Sequence, residues 1–210
     1  MQIVARGAEA VLSKGELDGE IVLVKERIKK GYRIEQIDNS LRKERTIHES
    51  RLLGEARRAG VNTPKVLDID EKSYKITMEW VEGQRLKELF NSDISDKEIE
   101  KLAGMIGNAA GKLHCAGIVH GDLTTSNMIL SDGKIFLIDF GLGFFSPKEE
   151  DYGTDLAVFK EAVKATHFKH LSLVWDSFIK GYRQTNPQAD DALLALIAIE
   201  KRGRYMTRVE

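Results

Sequence analysis

Asp122, Asn127 and Asp139 carry oxygen side chains at spacings that suit work on a phosphate: Asn127 follows Asp122 by five positions, and Asp139 follows Asn127 by twelve. Carboxylate and amide oxygens are hard ligands of the kind magnesium takes. Phosphoryl transfer asks a protein for little covalent help; it needs the phosphates held in line and their charge neutralised by metal. In that chemistry Asp139 binds a magnesium that bridges the phosphates and Asn127 holds a second. Asp122 orients the attacking hydroxyl or water and accepts its proton. Between the two clusters, the apolar runs 128–130 and 134–138 are separated by Ser131, Asp132 and Gly133, a hairpin-turn signal that brings the ligands together. Any one of these pieces alone more often marks a helix end or a solvated turn, so the argument rests on their joint order.

The stretch from His120 to Asn127 follows the catalytic-loop pattern H-R-D-x-x-x-x-N of protein kinases, with Gly121 at the arginine position, and Asp139, Phe140 and Gly141 supply the D-F-G. Lys25, in Val22-Leu23-Val24-Lys25, takes the place of the strand lysine that contacts the α- and β-phosphates, and is expected to end its strand. Leu23 stands where alanine is usual and narrows the slot for a base. Gly7, in Gly7-Ala8-Glu9-Ala10, occupies the position of a phosphate-covering flap, although one glycine is a poor match to a glycine-rich loop.

These residues need elements to position them. Apolar, partly β-branched runs at 3–4, 10–12 and 21–24 predict three strands, with a turn over 15–19 before the third. A long helix is predicted over 34–60, with Ile34, Ile37, Leu41, Leu52 and Leu53 at helical intervals and Gly60 as its stop. Of its glutamates, Glu49 shares a face with Leu52 and Leu53 and is the expected partner of Lys25; Glu44 and Glu55 point to solvent. From Lys25 to Arg58 there are eleven Lys and Arg against six Asp and Glu, a solvated face or a surface for RNA or an acidic partner.

Beyond Pro64, strands are predicted at 66–69 and 75–78, then a short helix at 85–90. In this crossing Met78 stands as gatekeeper beside a base, the backbones of Glu79 and Val81 face its edge, and Ile129 joins them from the strand after Asn127. Ser95 and Glu98 form a capping box, and Ile99, Leu102, Ala103, Ile106, Ala110 and Leu113 make one helical stripe. His114 is read as a structural helix residue and His120 as a brace of the loop; neither has the company of a metal ligand. Only nine residues separate Gly141 from Asp151, where a new helix begins, too few for a long peptide-docking loop. Asp155 on that helix is placed to receive N–H groups from the catalytic loop. Two more helices are expected at 172–184 and 188–202, and the basic end from Lys201 is expected to fray.

Composition sets the class. The chain has 210 residues, 42% hydrophobic and 31% charged, which suits a folded, water-soluble chain with one core or two small lobes. A net charge of −1 gives no bulk attraction to nucleic acid, and the single cysteine, Cys115, excludes an internal disulfide. With no apolar leader and no run of membrane-spanning length, a cytoplasmic protein is expected.

Taken together, these residues resemble the small atypical kinase of the KEOPS complex. The marks are Gly7-Ala8-Glu9-Ala10, Val24-Lys25-Glu26-Arg27 with Lys30-Gly31-Tyr32-Arg33, the run from Arg45 to Leu53, Met78 to Gly83, His120 to Met128, and the arginine-rich end, whose basic residues are sparse beyond Arg204. The resemblance implies an α+β, minimal two-lobed protein-kinase-like fold, with a β-rich N-lobe carrying one long helix (1–81) and a small helical C-lobe (82–210). It implies ATP and magnesium as cofactors, with Lys25, Asp122 and Asn127 catalytic and Asn127 and Asp139 on metal. Gly7, Lys25, Glu49, Met78, Glu79, Val81 and Ile129 would then hold the nucleotide. It also implies a tRNA threonylcarbamoyl-transferase partner, other KEOPS subunits, and tRNA through the complex. The activity implied is chiefly ATP hydrolysis supporting N6-threonylcarbamoyladenosine synthesis, with phosphorylation of protein serines as a further capacity. The rivals are a small-molecule kinase of the aminoglycoside or choline type, a RIO-type kinase, and a non-catalytic adaptor. The first usually needs more helical sequence than the 69 residues after Gly141, and the last does not need the catalytic set that is present.

Overall fold

Asp18 and Gly19 both have positive φ, 52° and 84°, the conformation that a two-residue hairpin requires at its centre. They join β2 (Ala10–Leu17) to β3 (Glu20–Arg27), and β1 (Gln2–Arg6) lies on the other side of β2. The turn is therefore Asp18-Gly19 alone, not 15–19: Gly15 pairs with Val22 within the ladder. Lys25 likewise does not end its strand, which continues through Arg27. With β4 (Val66–Asp70) and β5 (Lys75–Glu79) these strands form one antiparallel sheet in the order β1-β2-β3-β5-β4. The computed structural model describes residues 2–206.

Between β3 and β4 runs α1 (Glu35–Arg58). Its C-terminal half buries Leu52, Leu53 and Ala56 in a core shared with Ile76 and Met78. Its N-terminal half is held differently. Ile34 and Ile37, apolar residues that mark the helix in the sequence, are 69% and 53% exposed. The buried group there is Asp38, which pairs with Arg42 at 2.8 Å and accepts from the Lys30 N–H at 3.3 Å. Charge pairing, not an apolar stripe, fixes this end of the helix.

The chain then passes through β6 (Gln84–Arg85) and α2 (Leu86–Phe90) to α3 (Asp96–Cys115), whose start is capped by the Ser95 hydroxyl accepting from the Glu98 N–H at 3.3 Å. All six residues of the predicted apolar stripe are buried. After β7 (Ile118–Val119) comes the loop of Asp122 and Asn127, then the hairpin of β8 (Met128–Ser131) and β9 (Lys134–Leu137), turning at Asp132 and Gly133 as the sequence predicts. Next are β10 (Phe144–Phe145), which pairs with β7, and three helices: α4 (Glu149–Thr166), α5 (Leu171–Thr185) and α6 (Ala189–Met206). A Cβ on Gly107 of α3 would stand 1.9 Å from the Phe178 carbonyl of α5, so the two helices touch backbone to backbone. Rings of Phe159, Phe178 and Tyr182 stack beside this crossing.

The last helix is longer than predicted and continues through Met206 instead of fraying from Lys201. Lys160 holds Glu200 at 2.7 Å and Arg202 holds Glu150 at 2.7 Å, tying this stretch to α4. Residues 207–210, with Arg208 of the predicted tail, lie outside the described residues.

Candidate active site

Strand β3 and helix α1 meet at a buried ion pair. The Lys25 ammonium donates to Glu49 Oε1 at 2.6 Å and to Asp139 Oδ1 at 2.8 Å, so one cation joins the sheet, the helix and the turn after β9. Lys25 is 8% exposed and Glu49 1%. Burial works against the Lys25 ammonium, but Glu49 and Asp139 outweigh it and hold its pKa above the ordinary value. Burial also works to raise the Asp139 carboxyl; the Lys25 charge and the Gly141 N–H, which donates at 3.2 Å, bring it below its ordinary range. Asp139 has φ +63°, a left-handed conformation that a non-glycine residue adopts at a cost of about 1–3 kcal/mol. Strain of this size persists only where the surroundings dictate the conformation, and here the bonds from Lys25 and Gly141 do so.

The loop of Asp122 is held from below. Asp155 on α4 is buried and accepts the N–H groups of His120 at 2.8 Å and Gly121 at 3.0 Å, the bracing expected from the sequence. Burial works to raise its carboxyl, and the hydrogen bond and charge of His114, with His120, bring it below the ordinary range. His114 also meets Tyr182 Oη at 2.7 Å. His120 braces the loop with its ring as well as its backbone. The Asp122 N–H points at its Nδ1 (3.3 Å) and its Nε2 faces the Ile138 carbonyl (3.2 Å), which assigns the proton to Nε2 and leaves Nδ1 as acceptor. Gly121 is required where kinases carry arginine: its φ is +78°, and a Cβ would stand 2.2 Å from the Leu142 carbonyl oxygen.

Asn127 faces Asp122. Its Nδ2 donates to the Asp122 carbonyl at 3.0 Å and to Asp122 Oδ2 at 2.7 Å, which directs its Oδ1 away from that residue. Its carbonyl accepts from the Ile138 N–H at 3.0 Å, linking the loop to the residue before Asp139. A cavity between the five-stranded sheet and the β8–β9 hairpin is lined by Lys25, Glu49, Asn127 and Asp139 together with Met78, Glu79, Val81 and Ile129. Leu23 lines it too, and Met78 is buried in the core as well. The N–H of Glu79 donates to the Lys65 carbonyl and its carboxylate accepts from the Lys65 N–H, so neither faces the cavity. Gly7 is not in this group. It lines an adjoining cavity with Glu9, Arg27, Asp122, Asp139 and Gly141.

The donors suit magnesium shared with phosphates rather than a metal held by protein alone. Among the described residues no three His, Cys, Asp or Glu side chains gather to hold an ion. What the site offers is one carboxylate, one amide oxygen and open space, and magnesium commonly keeps few protein ligands beside phosphates and waters.

Two residues escaped the sequence reading. Arg27 is buried at 4% exposure and its Nη2 donates to Glu49 Oε2 at 2.6 Å, so Lys25 and Arg27 each hold one oxygen of the same carboxylate. The signal was available: on a strand, residues two apart share a face, and Arg27 follows Lys25 by two. Glu9 carries the β1–β2 loop into this network, with Arg45 on α1 as its hydrogen-bonded partner and Arg27 and Arg33 each at 3.8 Å. Its carboxyl lies below the usual range, chiefly through the Arg45 bond, with burial opposing.

The segment after Asp139 is short and fixed. Phe140 is fully buried against the His120 ring, with centroids 4.5 Å apart. The Gly143 carbonyl meets His48 Nε2 at 3.1 Å, β10 pairs with β7, and the Ser146 N–H donates to the Gly117 carbonyl at 2.9 Å. Helix α4 begins at Glu149.

A model of the RIO domain matches residues 22–143. The KEOPS complex subunit Bud32 of Pyrococcus abyssi is 45% identical over 216 residues, covering 99% of this chain and 98% of that protein. A probable bifunctional tRNA threonylcarbamoyladenosine biosynthesis protein of Methanosarcina barkeri is 40% identical over 206 residues, and one of Methanothermobacter thermautotrophicus is 42% identical over 203. Each aligns with 97% of this chain, which spans 36% of their own length.

Proposed function

Because this chain belongs to the RIO-domain family, and within it to the family of the KEOPS complex subunit Bud32, we propose that it is an atypical kinase that acts chiefly as a magnesium-dependent ATPase in support of N6-threonylcarbamoyladenosine formation in tRNA. The observation that carries the reading is the single ammonium of Lys25 bonded to both Glu49 and Asp139 in a cavity that Asn127 also lines. Glu49 orients Lys25 toward the α- and β-phosphates. The free oxygen of Asp139 and Oδ1 of Asn127 would hold magnesium, which neutralises phosphate charge when bound. Asp122, steadied by Asn127, orients the attacking hydroxyl or water and takes its proton. Met78, Glu79, Val81 and Ile129 receive the base, and Gly7 stands in the loop over the terminal phosphates. We place the boundary between lobes at Val81, giving 1–81 and 82–210.

The short, clipped segment after Asp139 leaves little surface for docking a peptide, which favours water as the usual acceptor. The relatives described as bifunctional extend well beyond the region this chain matches, so this chain corresponds to one of their two functions. The partner we assign is therefore the tRNA threonylcarbamoyl-transferase subunit, with other KEOPS subunits and tRNA reached through them. Among the described residues no helix is long and apolar enough to cross a membrane. The likeness to a KEOPS complex subunit supports our assignment of the protein to the cytoplasm.

The test is ATP hydrolysis across a magnesium series, with and without the transferase partner, for the wild-type chain and Asp139→Asn. An amide cannot neutralise a metal as a carboxylate does. Changes to outer partners of a metal site cost about 10–100-fold, so a direct ligand is expected to exceed the upper figure while the variant still folds. Near-wild-type turnover by Asp139→Asn with the same magnesium requirement would overturn the assignment.

A further inference from the structure

Arg27 touches three elements that the proposed reaction must keep in register. It stands on β3, two residues beyond Lys25 and on the same face. Toward α1, its Nη2 donates to Glu49 Oε2 at 2.6 Å and lies 3.5 Å from the Arg45 carbonyl. Toward the β1–β2 loop, its Nη1 lies 3.8 Å from Glu9 Oε2, and the same Glu9 carboxylate is bonded to Arg45. The guanidinium is 95% buried by side-chain area, and its Nε has no hydrogen-bond partner. A buried donor left without an acceptor is uncommon and needs a reason. Here the fork is aimed to serve two carboxylates on two different elements, and Nε is the donor left over.

We infer that Arg27 is a positioning residue for phosphoryl transfer: it fixes Glu49 so that Lys25 is presented to the phosphates, and through Glu9 it sets the β1–β2 loop over them. The inference rests on the phosphoryl-transfer reading above and adds to it a residue that the catalytic-loop and D-F-G motifs do not contain. Charge-assisted bonds from a planar fork impose direction as well as attraction. With Lys25 on Oε1 and Arg27 on Oε2, the Glu49 carboxylate is fixed in rotation, which a single ammonium cannot do. The loop has little else to steady it. A lone glycine cannot form the backbone cradle of a glycine-rich flap, and Gly7 and Ala8 are exposed. The remaining ties are the Lys30 ammonium on the Ala8 carbonyl, the Gly7 N–H on the Ala10 carbonyl and the Ile28 N–H on the Glu9 carbonyl at 3.1 Å. The Glu9 network therefore adds a side-chain restraint that links this loop to β3 and α1. It also keeps a carboxylate, which would repel a triphosphate, turned toward arginines.

The experiment compares Arg27→Met, Arg27→Lys and Glu9→Gln with the wild-type chain in steady-state ATP hydrolysis, with Asp139→Asn as a control on the underlying reading. A misplacement on the scale of an ångström reaches about 100-fold in rate, so Arg27→Met is expected to lower kcat/KM by about 10–100-fold through both constants. Arg27→Lys, which keeps charge but not the fork, should recover part of kcat. Glu9→Gln should act mainly on KM, because Glu49 keeps both cations. A second readout needs no turnover: amide hydrogen exchange without nucleotide. Residues 7–10 should exchange faster in Glu9→Gln and in Arg27→Met, and residues around Glu49 faster in Arg27→Met only. If Asp139→Asn is inactive while Arg27→Met keeps wild-type kcat, KM and exchange, the inference fails and the reading stands. If neither the wild type nor Asp139→Asn differs from background hydrolysis, the reading fails and exchange alone decides the role of Arg27. Should Arg27→Met not fold, unchanged KM and exchange in Glu9→Gln, together with wild-type kcat in Arg27→Lys, overturn the inference.

Discussion

A carboxylate shared by two cations has unequal partners, and the inequality is measurable. Glu49→Ala removes the one anion between Lys25 and Arg27, leaving Arg27 buried with only the more distant Glu9. Lys25→Ala leaves Glu49 still bonded to Arg27. Removing one partner of a buried ion pair costs about 3–5 kcal/mol, and Glu49→Ala is expected near or above that range, with Lys25→Ala below it. Urea unfolding of both variants checks the order; equal losses would mean that Arg27 does not support Glu49. ATP turnover should fall in both, and the double variant should lose less than the sum, since the residues share one network. His120 makes a second prediction. Its buried ring must stay neutral, because a proton on Nδ1 would meet the Asp122 N–H; burial holds its pKa below the ordinary value, against the pull of Asp155, Asp122 and Asp139. With the folded pKa depressed below the unfolded one, this contribution is complete above about pH 6.5 and is lost progressively as pH falls from there through the lower folded pKa. Melting temperatures from about pH 8 to 5 should decline on the acid side, and His120→Asn should show a shallower decline. An identical slope in the variant would clear His120 of the effect.

At the level of elements, two glycines with nearly the same φ should behave differently. Gly133, in the β8–β9 turn, has φ +72° and nothing within 4 Å of a Cβ; Gly121 has φ +78° and the Leu142 backbone at 2.2 Å. Gly133→Ala is expected to cost about 1–2 kcal/mol, the strain of a left-handed residue alone. Gly121→Ala adds an overlap of the kind that costs about 1–3 kcal/mol or more, and it displaces the loop carrying Asp122. Melting and ATP turnover should therefore fall together in Gly121→Ala, while Gly133→Ala keeps wild-type turnover. The contrast also shows what could be read in advance. Elements marked by local chemistry were legible: the Asp132-Gly133 turn, the Ser95 cap, the stripe on α3, and Asp155 beneath the loop. Asp18-Gly19 carried the same turn signal, but Gly15 drew the boundary too early. The contacts of Glu9 join residues far apart in sequence, so spacing alone could not show them. The pairing of β7 with β10 involves two residues a side, too few to display alternation. In α1, apolar periodicity identified the helix and, through Leu52 and Leu53, the buried face of its C-terminal half, but not the face of its N-terminal half, where Asp38 is buried through charge.

Across the whole molecule, positive charge is local: net charge is −1, yet the stretch containing α1 and the end of the chain are rich in Lys and Arg. Among the described residues the core contributions of α6 are Ala189, Ala192 and Leu196, and removing Gly203 to Glu210 takes away no group of the proposed catalytic set. Basal ATP hydrolysis is expected to stay within about twofold of wild type, because the proposed catalytic groups are all retained. The same deletion should reduce tRNA modification by the reconstituted complex and flatten the salt dependence of tRNA or partner binding, because each lost phosphate contact lowers the counterion-release slope by about 0.7–0.9. Paired assays across a salt series decide it. Full modification by the truncated chain at every salt concentration would assign the tail no part in binding.

The clip between β10 and β7 has a consequence for small molecules aimed at this cavity. Phe140 is sealed against His120, and the chain beyond it is pinned at Gly143, at the β10–β7 pair and at Ser146. For Phe140 to swing outward, these contacts would have to break. An inhibitor whose selectivity depends on occupying the space behind a displaced phenylalanine would first have to unzip that clip. Compounds that seek selectivity here should instead exploit the cavity wall that Leu23, Trp80 and Arg85 help to line.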